Sequence, residues 1–202
     1  MYIPNNIKMQ DRSVIHNFIN EFGFGIMVST SLTGTHIPFV LHSDEGENGV
    51  LYSHCAKANT HWKELEGADV LIVFSGPHSY ISPNWYAQSP AVPTWNYAAV
   101  HAYGKVSLLN DKQTLEAVEE VVHQYEPELL VKRDVITDEF RDKLLPAIVG
   151  FKVELSHIEG KLKLGQQRKT DDQAGVYNAL KNSQDLGAQS LANYMDKLSL
   201  GK

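Results

Sequence analysis

The stretch GIMVSTSLTGTHIPFVLH, residues 25–42, decides the fold class. It is rich in β-branched residues and reads as two strands, Gly25 to Leu32 and Thr35 to His42, joined by a turn at Thr33-Gly34. Strands joined by so short a turn run antiparallel, because a parallel pair needs a crossover of a dozen or more residues. A third strand, Gly49 to His54, follows across the glycine- and acid-containing loop Ser43 to Gly49. No helix falls among these three strands, whereas a parallel α/β sheet would place one after nearly every strand. The reading is therefore α+β: a small β-barrel of antiparallel strands with peripheral helices.

Working outward, Val14, Phe18 and Phe22 recur at i, i+4 and i+8 and predict a helix over 11–21. Residues 59–66 predict a short helix carrying Trp62 and Leu65. Asp69 to Phe74 predicts a short apolar strand interrupted by Gly76-Pro77. The segment Ser82 to Thr94 holds three prolines and reads as a loop. Asn96 to Leu109 predicts a long strand in which Gly104 marks a bulge or a close backbone approach. Helices are predicted over 111–125, behind Asn110-Asp111, and over 137–145, capped by Thr137. Ile148 to Ile158 alternates as a closing strand. Two further helical patterns follow from 171, broken near Asn182-Ser183. The domain reading is a barrel domain over 1–168 and a helical extension over 169–202, packed on the barrel or on a partner subunit.

The 202 residues carry 18 Lys plus Arg against 24 Asp plus Glu, a net charge of −6. That balance argues against a surface given over to nucleic acid. It leaves room for a local basic site for one phosphate-bearing small molecule. A single cysteine, Cys55, excludes an internal disulfide and a multi-cysteine zinc site, and fits a reducing compartment. Apolar runs such as Val70 to Phe74 fall far short of the ~18 residues of a membrane span. The opening residues lack the pattern of a signal peptide. A cytoplasmic location is expected.

Several segments concentrate polar, aromatic and histidine residues at strand ends. In Gly34-Thr35-His36-Ile37-Pro38, the proline marks an edge or bulge and leaves His36 and nearby backbone groups for a ligand. In Tyr52 to Lys63 a strand runs into a predicted helix start. Unpaired N–H groups there, with Ser53, Lys57 and Lys63, suit an anion, and Trp62 adds a flat apolar surface. Trp85 and Trp95 lie in predicted loops, as lids or stacking surfaces. Glu159 to Arg168 offers three cations and two amides, either for phosphate or as a solvated strand edge. Pairs such as His54 with His61, or His78 with His101, lack a recognisable metal-ligand spacing. Cys55 beside His54 is no nucleophile pair, since neighbours on a strand face opposite ways.

Taken together, Met1-Tyr2-Ile3-Pro4, Thr35 to Pro38, His54 to Trp62, Gly76 to Tyr86, Val92 to Tyr97 with His101 to Gly104, Ile148 to Phe151 and Glu159 to Leu164 carry a resemblance. The sequence resembles the PaiB-like family of FMN-binding negative transcriptional regulators over residues 1 to about 180. The resemblance implies a split β-barrel of the flavin-reductase and pyridoxamine-phosphate-oxidase type, a homodimer with FMN near the subunit interface, and negative regulation of transcription. By the same resemblance, Thr35, His36, Ile37, Pro38, Ser53 and His54 would line the flavin. Lys57, Asn59 and Trp62, with Lys63 behind, would hold its ribityl phosphate. Trp95, Asn96, Lys161, Lys163, Gln166 and Arg168 would close the site. Gly165-Gln166-Gln167-Arg168 departs from the family pattern of a serine followed by Gln-Asn-Arg.

Regulation does not follow from the residues themselves. Residues 168–202 hold five cations against four acids, with no basic face for a recognition helix, so direct DNA binding is weakly supported. The competing readings are an FMN-dependent oxidoreductase acting on a small metabolite, a haem-binding split barrel, and a direct repressor. His36, His54 and Tyr97 are candidate proton donors, and no catalytic acid or base is assigned.

Overall fold

The computed structural model describes residues 1–132 and 134–201. In chain order the elements are α1 (Arg12–Glu21), β1 (Phe24–Ser29), β2 (Gly34–Pro38), β3 (Val40–His42), β4 (Val50–Ala56), β5 (Asp69–Ile81), β6 (Thr94–Leu108), α2 (Asp111–Tyr125), α3 (Asp138–Leu144), β7 (Ile148–Lys163), α4 (Thr170–Lys181) and α5 (Leu186–Lys197). They distribute over two compact units. One comprises 12–74 and 101–158; the other comprises 1–11, 75–100 and 159–202.

The seven strands follow the order β2-β1-β5-β6-β7-β4-β3, and the ladders β1–β2, β1–β5, β3–β4 and β4–β7 are antiparallel. β2 and β3 stand at opposite ends of that order, yet Phe39 alone separates them in sequence. Laid flat, seven strands would hold those ends ~29 Å apart, far beyond the reach of one residue. The sheet in the first unit must therefore curl until its ends meet, though no ladder among the described residues closes it. Ser53 on β4 reaches across instead: its hydroxyl donates to the Pro38 carbonyl at 2.6 Å. Phe39 fills the curl. It is fully buried, with ring centroids 5.7 Å from Phe74 and 6.4 Å from Phe151.

Several sequence expectations need correction, and Trp95, read as a loop residue, lies on β6. The strand Thr35 to His42 is two strands, because the chain changes partner at Phe39: β2 pairs with β1 as far as Pro38, and Val40 begins the pairing with β4. The strand beginning at Asp69 is not interrupted at Gly76-Pro77 but runs on to Ile81. β1 covers only Val70 to Val73 on that flank, so the missing N–H of Pro77 deprives no β1 partner. The helix over 59–66 is a single 3-10 turn, Thr60–Glu64. It carries too few apolar positions to extend, and Gly67 at φ +70° follows.

The remaining helices form where local chemistry placed them. Asn110 accepts from Gln113 N at 3.0 Å and Gln113 returns the bond at 3.2 Å, a reciprocal cap that starts α2. Thr137 accepts from Phe140 N at 3.1 Å at the start of α3. In the second unit, Met9 N donates to the Gly160 carbonyl at 2.9 Å beside the end of β7. The backbones are close enough there that a Cβ on Gly160 would lie 2.3 Å from the Met9 sulfur. α4 and α5, the helices of the 169–202 extension, belong to this unit.

Candidate functional site

The sequence-read residues fall into two groups, one in each unit. In the first unit the chain leaves β4 through a turn held by its own hydrogen bonds. Lys57 N donates to the Ala147 carbonyl at 2.8 Å, and Asn59 N donates to the Ala56 carbonyl at 2.9 Å. The Trp62 indole N–H reaches back to the Lys57 carbonyl at 2.9 Å. Asn59 Oδ1 accepts from His61 N at 3.1 Å, so this cap occupies a donor that the sequence reading assigned to an anion. The ammonium groups of Lys57 and Lys63 are different. Both side chains are exposed, and neither ammonium has a hydrogen-bond partner among the described residues.

A polar network anchors that turn to β2. Asn59 Nδ2 donates to Thr35 Oγ1 at 3.2 Å, and Thr35 Oγ1 lies 2.8 Å from His61 Nδ1. These bonds are satisfied together when the Thr35 hydroxyl donates to Nδ1 and His61 carries its proton on Nε2. Nε2 lies 3.5 Å from Glu64 Oε1 without a good hydrogen bond. Burial pushes the His61 pKa down, against the opposing pull of Glu64. Glu64 itself accepts from Ser29 and Ser31 hydroxyls, both at 2.6 Å, and these bonds hold its carboxyl below the ordinary range. His61, Glu64 and the two serines were missed as site residues. Their signal is the polar turn Ser29 to Thr33 far from, but matched to, the Asn59-x-His61 pair.

Of the other residues in this group, His36 is exposed on β2, with its ring 6.3 Å from that of Phe24. Ile37 is buried and Pro38 half-buried. Ser53 is fully buried, and its hydroxyl proton is spent on the Pro38 carbonyl, where it helps to shape the barrel. His54 is half-buried, its Nδ1 has no hydrogen-bond partner among the described residues, and burial lowers its pKa. An unsatisfied buried polar atom costs about 1–3 kcal/mol, and a ligand acceptor or donor would recover that cost.

In the second unit, most of the cations are already engaged. Lys161 is buried, donates to the Tyr2 carbonyl at 3.1 Å and lies 5.1 Å from the Tyr97 ring centroid. Lys163 donates to the Trp95 carbonyl at 2.8 Å and to the Thr94 hydroxyl. Gln166, just past β7, folds back on the chain, donating to the Leu162 carbonyl at 2.6 Å and accepting from Leu164 N at 2.9 Å. The Arg168 guanidinium sits 4.2 Å over the Tyr86 ring and 4.0 Å from Asp172. Asn96 is buried. Trp95 remains 53 % exposed beside His78 and Tyr80. It borders an open groove of about 370 Å³ lined also by Ser75, Gly76, Tyr97, Ala98 and Ala99.

A third cluster, outside both groups, surrounds His42 in the first unit. Its Nδ1 lies 2.9 Å from Glu45 and its Nε2 2.5 Å from Glu120, and Tyr52 donates to Glu45 at 2.8 Å. Burial lowers the His42 pKa, but Glu120 and Glu45 outweigh it and the net shift is upward. Burial and Glu45 push Tyr52 up to about 12. With its folded pKa raised, His42 stabilises fully below its unfolded pKa of ~6.5 and loses that contribution as pH rises through the folded value. Chemical denaturation of the wild type and His42→Gln across pH 5.5–8.5 should show a difference of up to about 1 kcal/mol at the acid end that shrinks at the alkaline end. A difference independent of pH would remove the charged clamp.

Among the described residues no helix is long and apolar enough to cross a membrane, and no three His, Cys, Asp or Glu side chains converge as metal ligands.

The curled antiparallel sheet with peripheral helices is the split-barrel class found in flavin-binding proteins. The fold aligns with an FAD and heme binding protein from Mycobacterium smegmatis at a TM-score of 0.59 and 12 % identity, covering 77 % of this chain and 73 % of that one. It aligns with the flavocytochrome Anf3 from Azotobacter vinelandii at a TM-score of 0.58 and 14 % identity, covering 80 % and 72 %. Residues 1–157 match the family described as "Putative FMN-binding domain", and the chain belongs to that family. It is also 37 % identical over 209 residues to the protease synthase and sporulation protein PAI 2 of Bacillus subtilis strain 168, covering 98 % of both chains.

The residues present fit an FMN. Two ammonium groups unpaired among the described residues, on a hydrogen-bonded turn, suit a phosphate. Trp62, tied to the Lys57 carbonyl, supplies an apolar face, and His54 holds a ring nitrogen upstream without a partner among the described residues.

Proposed function

We infer that the chain holds FMN with the ribityl phosphate at Lys57 and Lys63 and the ring system toward His54 and β2, in a homodimer with the flavin near the subunit interface. The observation that carries this reading is the pair of exposed, unpartnered lysines on a turn whose backbone is already fixed. Asn59, Thr35 and His61 position that turn, and Trp62 shields one side of it. When bound, flavin supplies the redox chemistry, and the protein supplies orientation and polarity. Any effect on transcription, the role that the sequence resemblance implies, would be flavin-dependent or indirect. The acidic balance of the chain and the lack of a basic face in 168–202 support this over a DNA-reading helix.

Full-length protein incubated with FMN should take up one flavin per chain and turn yellow. A protein that stays colourless and takes up no FMN overturns the reading, and a Soret band after incubation with haemin favours haem. Oxidation of NAD(P)H by the loaded protein would favour the oxidoreductase reading, and salt-sensitive, sequence-selective retardation of DNA would favour a direct repressor. His54→Leu separates ligand contact from structure. It should weaken FMN retention about tenfold while leaving the unfolding temperature of the free protein unchanged or higher, because the orphaned nitrogen is gone. Unchanged retention would take His54 out of the site.

A further inference from the structure

The first unit carries an apolar groove that neither the barrel nor the flavin reading uses. Leu115, Val118 and Val122 on α2 form one wall; Leu129, Leu130 and Ile136, from the segment between α2 and α3, form the other. The groove has a volume of about 170 Å³, and all six side chains are half-buried, none fully. The same segment also exposes Val131 at 78 %, Val135 at 57 % and Phe140 at 52 %. So much exposed apolar surface on one segment of a folded protein marks a place where something else packs.

Charge says what that partner is. Residues 111–147 hold ten acidic side chains against five cations. This segment alone therefore carries −5 of the chain's −6. Three of its cations are drawn into ion pairs with its own acids: Lys112 with Glu116 at 3.7 Å, Lys132 with Glu128 at 3.1 Å, and Arg141 with Glu119 at 3.0 Å. Glu119 and Arg141, the charged residues in the groove's own lining, neutralise each other, and the exposed surface of the segment around them is acidic. A second copy docking here about a two-fold axis would bring acidic rim against acidic rim, which disfavours self-association through this face. Nucleic acid and anionic lipid are repelled for the same reason. An apolar groove between helical elements with an acidic border fits an amphipathic helix whose apolar residues recur at i, i+3/i+4 and i+7 and whose flanks are basic.

We propose that the α2–α3 groove is a docking site for a basic amphipathic helix of another protein. The site is independent of flavin binding and lies on the part of the chain that holds nearly all of its net charge. A regulatory partner recruited there would let a protein without a basic recognition helix act on transcription at one remove.

The test uses the full-length protein and two synthetic helices of about 18 residues, five turns, one with a leucine face and lysine flanks and one with glutamate flanks. By calorimetry the leucine–lysine peptide should bind at least about tenfold more tightly than the leucine–glutamate peptide. Val122→Asp should weaken that binding at least about tenfold, even though it makes the surface more acidic. General charge attraction predicts the reverse sign, so unchanged or tighter binding to Val122→Asp overturns the proposal. Equal affinity for both peptides, or binding of neither, overturns it too. A dimer in sedimentation that Val122→Asp dissociates would assign the groove to a second copy and equally overturn it. Circular dichroism checks each variant. Should Val122→Asp lose its fold, Leu130→Gln, at a half-exposed position, must give the same loss of binding.

Discussion

Replacing Lys57 and Lys63 together by alanine is expected to weaken FMN binding by about 30- to 100-fold, ~2–3 kcal/mol, while leaving riboflavin binding unchanged. Each ammonium is exposed and spends no hydrogen bond on the described residues, so each can meet a phosphate oxygen. Charge-assisted contacts at solvent-facing positions contribute about 1–1.5 kcal/mol apiece, and two add nearly independently when they grip different oxygens. Riboflavin has the same ring and no phosphate, so it isolates the contact. In the wild type the ratio of the two affinities should be large, and in the double variant it should approach one. The measurement is a fluorescence-quenching titration at two salt concentrations, because the phosphate contribution also falls with ionic strength. A ratio that survives the double substitution would move the phosphate elsewhere. The corresponding substitutions at Lys161 and Lys163 should instead lower stability, since those ammonium groups tie down Tyr2 and Trp95.

Gly104→Ala should destabilise the protein by about 2–3 kcal/mol and lower the unfolding temperature by roughly 5–10 °C. A Cβ at this position on β6 would stand 2.4 Å from the Glu154 carbonyl oxygen and 2.8 Å from Val153 Cγ1. Real Cβ atoms do not approach a carbonyl so closely, and here the obstacle is backbone of β7, which cannot rotate away as a side chain can. β6 and β7 are neighbours in the sheet, so relief requires spreading a ladder. Gly67→Ala is the control for a tight turn without crowding: its φ is +70° but nothing lies within 4 Å of the added atom. It should cost only the strain of a left-handed residue, about 1 kcal/mol. Thermal melts of both variants decide the matter. Equal losses would mean that the close approach at Gly104 is not the cause.

Much of the fold was legible because its signals are local. The two antiparallel strands of 25–42 declare themselves by alternation and a short turn. The caps at Asn110 and Thr137 are contacts over three residues, and sequence spacing suffices to find them. Gly104 stood out as a glycine inside a long strand. What sequence misjudged also has a physical source. Pro77 looked like a break because proline cannot join a ladder on both sides, and only the neighbouring strand's length shows that one flank there has no β1 partner. Phe39 looked like one more strand residue, whereas the chain passes there from β1 to β4 as its partner and its ring becomes the centre of the curl.

The candidate site divides along the same line. By itself the sequence determined an antiparallel α+β chain, its resemblance to the FMN-binding family, and that its few clustered cations were the ones to weigh for a phosphate. It could not rank those cations, because what silences a lysine is a partner brought in from far along the chain: the Tyr2 carbonyl for Lys161, the Trp95 carbonyl for Lys163, the Tyr86 ring for Arg168. Tertiary structure alone decided that Lys57 and Lys63 remain unspent among the described residues. It also decided that Ser53 belongs to the barrel and that His61, Glu64 and two distant serines brace the turn. A hydrogen bond is satisfied in space, and spacing along the chain carries no record of which donors the fold has already used.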